Sequence, residues 1–150
     1  MPDQREGDVV DFVNTVTIRR PVPEVFAYLE NFENVPQWNY AIVATRKTSD
    51  GAVAVGTTYE HKRSLPSEST ERLEVVAHEA NRKLAIRGDL GPFNGVLTYE
   101  LEPVGEGTRL TNRAHLEGRG LSRVLARLAE GRVREAVSAN LGKLKEILEA

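Results

Sequence analysis

Apolar and polar residues alternate at the start of this chain. Phe12, Asn14, Val16 and Ile18 fall on one side, Thr15 and Thr17 on the other, the period of a half-buried strand. Pro21 and Pro23 stop that strand. Pro23 suits a first helical turn, where its missing N–H is no loss and Glu24 favours the helix dipole. Val25, Phe26 and Leu29 share one face of the helix that follows. Asn31 or Asn34 can cap a second short turn before Pro36, and Trp38 closes the unit. Five further strands are predicted over 40–47, 56–65, 71–79, 83–89 and 93–102, with a last one over 108–117. The turns between them carry Ser49-Asp50-Gly51, Pro66-Ser67, Asn81, Gly91-Pro92 and Pro103 to Gly107. Seven strands at this spacing predict an antiparallel meander.

The stretch from about Leu121 to Glu149 is helical by pattern and carries two apolar stripes. Val133, Ala136, Val137, Asn140, Leu141, Leu144, Ile147 and Leu148 make one; Leu121, Val124, Leu125 and Leu128 make the other. At about 100° per residue the stripes are offset by roughly 120°. They meet at Gly131, which costs about 1 kcal/mol relative to alanine in a helix interior. The junction reads either as a gate where the helix passes a ligand or as a bend, or a break into two helices, following a curved sheet.

The spacing Ile18-x-x-Pro21-x-x-x-Val25-Phe26, followed by Pro36-x-Trp38, resembles the START, or helix-grip, superfamily (SRPBCC). Its polyketide cyclase/dehydrase and lipid-transport branch is the nearest in pattern. Gly56-Thr57 opening a strand, Val75 ahead of Glu79 to Leu84, and Gly107 to Leu110 after a Pro-containing turn sit where that family has similar residues. Ala80 stands where it often has proline. The resemblance covers roughly residues 9 to 149. It implies an α+β fold in which a curved seven-stranded antiparallel sheet, with two short helices, grips a long C-terminal helix around a cavity.

Composition narrows the chemistry. With 150 residues, 40% hydrophobic and 28% charged, the chain fits one globular domain over 9–150 after a polar, frayed lead-in over 1–8. A formal charge of −2 supplies no global field for nucleic acid. No cysteine is present, which excludes disulfides, thiolate nucleophiles and cysteine–metal sites. Signal-peptide and membrane-spanning patterns are missing, so a cytoplasmic protein without integral membrane contact is expected. Five arginines (119, 123, 127, 132 and 134) against Glu130 read as solvation or as a basic rim at a cavity mouth.

The three histidines lack metal-ligand spacing, and neither a metal nor a cofactor is expected. His78 precedes a turn and is expected to face solvent; His115 shares parity with Arg109 and Arg113 on a polar outer face. His61 differs. The resemblance implies that Tyr59 points inward, and alternation then carries His61 and Arg63 to the same side. Glu68, Glu71 and Glu74 read as a solvated edge. No G-x-S-x-G or P-loop occurs.

On the other inward faces, Asn14 and Asn112 lie among apolar residues and must find partners, either each other or ligand oxygens. With Tyr59, His61, Arg63 and Tyr99 they compose a mostly apolar pocket with a few orienting polar groups. Trp38, Leu97, Ala114 and Leu128 complete the predicted lining, Trp38 as a plug or a stacking platform. The resemblance implies binding, or transport, of a small hydrophobic molecule such as a lipid, quinone or polyketide. A cyclase/dehydratase is the alternative, with His61 or a tyrosine moving a proton and Arg63 stabilising an enolate. A regulator using the outer sheet face is a third reading, which that polar face counts against. A homodimer is left open.

Overall fold

The computed structural model describes residues 9–118 and 123–150. The chain runs β1 (Val9–Ile18), α1 (Val22–Glu30), a single 3-10 turn (Phe32–Asn34), α2 (Val35–Trp38), β2 (Ile42–Lys47), β3 (Thr58–Arg63), β4 (Ser69–Glu79), β5 (Lys83–Leu90), β6 (Phe93–Val104), β7 (Gly107–Gly118) and α3 (Arg123–Glu149). The strands form one antiparallel sheet in the order β1-β7-β6-β5-β4-β3-β2. This is the expected helix-grip arrangement. The expectations for residues 1–8, Arg119, Leu121 and the Arg123 side chain lie outside the described residues.

Period-two alternation builds the sheet. Ile18, Leu84, Ile86, Leu110 and Leu116 point to the helix side and are fully buried. Each such side chain contributes about 1.5–3 kcal/mol of hydrophobic stabilisation. The outer face carries cross-strand ion pairs instead: Arg113 with Glu100, Arg109 with Glu102, Arg87 with Glu74 and Arg46 with Glu60. Gly88 and Gly95 face each other across β5 and β6. A Cβ at Gly88 would meet the Arg72 carbonyl oxygen, and one at Gly95 that of His115. Only glycine fits so close an approach of neighbouring strands.

The interior divides into two apolar clusters. The larger includes Ile18, Phe26, Leu29, Phe32, Trp38, Tyr59 and Tyr99, with Leu141 and Leu144 from α3. The smaller holds Val10, Phe12, Phe93, Ala114 and Leu116. Leu90, Leu97 and Val137 pack against both and mark the seam between them.

α3 is one continuous helix through Gly131, which excludes the two-helix reading. Its far end is latched to β1. Glu149 accepts hydrogen bonds from the Arg19 N–H (2.7 Å) and from Lys145 Nζ (2.7 Å), and Lys145 also donates to the Thr17 carbonyl (2.6 Å). Those donors hold the Glu149 carboxyl at about 2.

Two local expectations are corrected. Neither Asn31 nor Asn34 caps a helix through its side chain; the Asn34 amide donates to the Tyr28 carbonyl at 3.1 Å, tying the turn back to α1. His78 does not face solvent freely. A β-bulge between Val75 and Ala77 shifts the register, so His78 lies opposite inward-facing Leu84. There its Nε2 meets Glu30 Oε2 at 2.7 Å and its ring packs edge-on to Phe26.

Candidate ligand-binding interior

The inward polar residues fall into two groups joined by Phe32. The first centres on Asn112. In the sheet register it sits between Asn14 of β1 and Tyr99 of β6. Trp38 packs edge-on to Tyr99, their ring centroids 6.4 Å apart. Asn140 reaches the interior from α3. The second group lies on β2–β4: Tyr59, His61 and Arg63, with Thr45 and Glu71. Phe32 contacts both, its ring 6.5 Å from Tyr99, 5.6 Å from Tyr59 and 6.0 Å from His61.

Hydrogen bonding is incomplete in the first group. Asn112 is fully buried, and neither atom of its amide has a partner among the described residues. Trp38 Nε1 and Asn140 Oδ1 are likewise buried and unpaired. Each such group costs about 1–3 kcal/mol when left unsatisfied. Asn14 does not pair with Asn112. Its Nδ2 donates to the Arg134 carbonyl of α3 at 3.3 Å, because the helix backbone passes over β1 at that point. Arg134 in turn lies over the Phe12 ring, 5.8 Å from its centroid, a cation–π contact.

The second group is better satisfied. His61 Nδ1 meets Thr45 Oγ1 at 2.7 Å. Burial, aided by the Arg63 charge, lowers the His61 pKa to about 4, so the imidazole is neutral near pH 7. Arg63 Nε donates to Glu71 Oε2 at 2.9 Å, and Arg63 Nη1 donates to the Leu65 carbonyl at 3.2 Å. The same Glu71 oxygen accepts the Gly91 N–H from the β5–β6 turn at 2.6 Å. Glu71 Oε1 is buried without a partner among the described residues. Burial alone raises the Tyr99 phenol far above its usual range, and Tyr59 is raised chiefly for the same reason.

Two expectations are corrected here, Leu128 as a lining residue and Glu71 as a solvated edge residue. Leu128 points away from the interior and is 65% exposed. It precedes Val133 by five residues, about 140° around the axis, so docking of the Val133–Leu144 stripe turns Leu128 outward. Glu71 is no solvated edge residue. β4 runs between β3 and β5, and Glu71 shares inward parity with Leu73 and Val75. That parity was the available signal; the spacing of Glu68, Glu71 and Glu74 obscured it. Leu97 lies at the seam of the two clusters, and its register neighbour Ala114 is buried in the smaller one.

Besides a hollow of about 450 Å³ along β1, β6 and β7 that touches Phe12 and Ala114, two larger ones lie elsewhere. One, of about 500 Å³, opens on the outer sheet face among Arg46, Glu60, Arg72, Glu74 and Arg87, several of which already pair with each other. The other, of about 1050 Å³, is an open groove along Pro21 to Pro23 and Pro103 to Gly107. Neither gathers the inward polar residues.

The family model for polyketide cyclase / dehydrase and lipid transport matches residues 9–149. The chain belongs to that family. No curated protein matches it significantly. Among solved structures it is similar to the di-domain aromatase/cyclase StfQ from the steffimycin biosynthetic pathway (TM-score 0.79, 19% identity). That match covers 97% of this chain but 52% of StfQ, about half of its length. The ZhuI aromatase/cyclase from Streptomyces sp. R1128 superposes with a TM-score of 0.79 at 15% identity, covering 94% of each chain. A protein from Thermus thermophilus gives 0.78 at 17% identity over 92% of this chain and 96% of its own. At these identities the likeness is one of fold.

Proposed function

We propose that this protein binds a small hydrophobic molecule, such as a lipid, quinone or polyketide, between the sheet and α3. The observation carrying this reading is the set of buried, unpaired polar atoms on Asn112, Trp38 and Asn140. A finished core satisfies such groups, whereas a binding interior keeps them for its ligand. Tyr59, Tyr99, Leu97 and Ala114 supply apolar contact, and His61, Arg63 and Asn14 frame the polar ends. Family membership supports the same class of ligand.

A cyclase/dehydratase reading draws on the two aromatase/cyclases of like fold. The electrostatics of the second group weigh against it. An imidazole with a pKa near 4 is a weak general base at neutral pH, and Arg63 is already held by Glu71. Binding without chemistry is therefore favoured. A neutral dye such as N-phenylnaphthylamine should bind saturably at roughly one molecule per chain. Ala114→Phe and Leu97→Trp should weaken it while leaving the fold intact. Undiminished affinity in both folded variants would contradict the interior site. If His61 is catalytic after all, His61→Gln should lower turnover of a polyketone by about 10²–10⁴-fold with affinity little changed.

A further inference from the structure

Arg63 and Glu71 meet beneath the β5–β6 turn on the inner sheet face. Arginine inside a pocket is ordinarily a carboxylate receptor, since its planar fork matches the two oxygens of an acid. Here that role is already taken. Glu71 Oε2 receives both Arg63 Nε and the Gly91 N–H, while Arg63 Nη1 is turned to the Leu65 carbonyl. Glu71 itself is 2% exposed, and its Oε1 is unpaired among the described residues.

We propose that Glu71 selects the ligand by charge: it cancels Arg63 and offers Oε1 as an acceptor, so the interior takes an uncharged molecule bearing a hydroxyl or similar donor and rejects carboxylates. The proposal rests on the interior-binding reading above and names the class of ligand. An incoming carboxylate would set like charges together in a low-dielectric interior, where repulsion is strong. A hydroxyl would give Oε1 the charge-assisted hydrogen bond it lacks. The other unpaired atoms agree in kind. Trp38 Nε1 and Asn112 Nδ2 are donors, Asn112 Oδ1 and Asn140 Oδ1 are acceptors, and all four are uncharged. Such a lining suits a neutral, oxygenated molecule rather than a fatty acid.

The test displaces N-phenylnaphthylamine with three probes on one naphthalene ring near neutral pH: naphthol, methoxynaphthalene and naphthoate. In the unaltered protein naphthol should displace the dye best, methoxynaphthalene less well for want of a donor, and naphthoate at least about tenfold more weakly than naphthol, the worth of one hydrogen bond to a charged group. Glu71→Gln should reverse the order by freeing Arg63, tightening naphthoate about tenfold or more and weakening naphthol. The doubly neutral Arg63→Gln/Glu71→Gln variant should not gain naphthoate binding beyond the unaltered protein. If Glu71→Gln does not fold, the ratio in the unaltered protein decides alone. Naphthoate binding as tightly as naphthol, or an unchanged ratio in folded Glu71→Gln, would overturn the proposal. Failure of the dye itself to bind would instead overturn the interior site and the proposal with it.

Discussion

The two halves of α3 meet the same sheet on different terms. In the C-terminal half Leu141 and Leu144 are buried in the larger cluster, Asn140 is buried too, and Glu149 and Lys145 latch the end to β1. In the N-terminal half Val124, Leu125 and Leu128 are exposed. Both halves carry apolar side chains, so composition does not explain the contrast. Phase does. A continuous helix presents one face to the sheet, and the stripe with more side chains and a latch sets which face that is. Val124, Leu125 and Leu128 of the shorter stripe are carried to the outside. Hydrophobicity along a helix predicts burial only after the helix has been oriented.

Truncation should expose this contrast with the largest effect. Leu144→Ala removes a fully buried side chain and should cost about 2–5 kcal/mol in urea unfolding, whereas Leu128→Ala should stay within about 0.5 kcal/mol. Comparable losses at both sites would mean that the N-terminal half is packed in solution.

A pH titration extends the comparison from the helix to the sheet. His61 is buried and its folded pKa of about 4 lies below the unfolded value of 6.5, whereas His115 is exposed beside Asp11. A depressed histidine is charged more readily when unfolded. The stability it confers is therefore complete above about pH 6.5 and is lost as pH falls toward 4, by up to about 3 kcal/mol. In His61→Gln the slope of stability over that window should flatten; in His115→Gln it should persist. Glu149 acts in a separate window. Its folded value of about 2 lies below the ordinary value of 4.5, so the latch on α3 should weaken only as pH falls from 4.5 toward 2.

The smallest effect falls at the junction. A Cβ at Gly131 would meet open space, so Gly131→Ala should raise stability by about 1 kcal/mol through helix propensity alone. Hydrogen exchange should show 124–131 less protected than 137–148 in the ligand-free protein. If the exposed half works as a gate, dye should also enter and leave the alanine variant more slowly. Uniform protection with unchanged dye kinetics would leave the junction as packing geometry.

Much of this fold is legible in the sequence because strand alternation and turn residues act locally. The seven strands, the proline-opened helix and Asn81 in a left-handed turn at φ 63° all follow from neighbouring residues. Tyr59 is buried as the family resemblance implies, and parity then carries His61 to the same side. What escaped depended on nonlocal geometry. The bulge at Val75–Ala77 is invisible in composition, yet it turns His78 inward. Glu71 reads as polar surface until β4 is seen between two neighbours and its carboxylate finds Arg63. The outward turn of Leu128 needed the docked phase of α3, and the Asn14 bond needed the Arg134 carbonyl overhead. Pairwise chemistry across the interior, rather than secondary structure, was the unreadable part.

Interior binding stands or falls on whether the buried, unpaired polar atoms of Asn112, Trp38 and Asn140 await a ligand. Trp38 is the chain's single tryptophan, so its indole N–H gives one side-chain signal of its kind in a nitrogen-correlated NMR spectrum. Titration with naphthol should move that signal saturably, in step with dye displacement, and should shift the Asn112 side-chain amide with it. An indole signal that stays in place at saturating naphthol would contradict interior binding at these atoms.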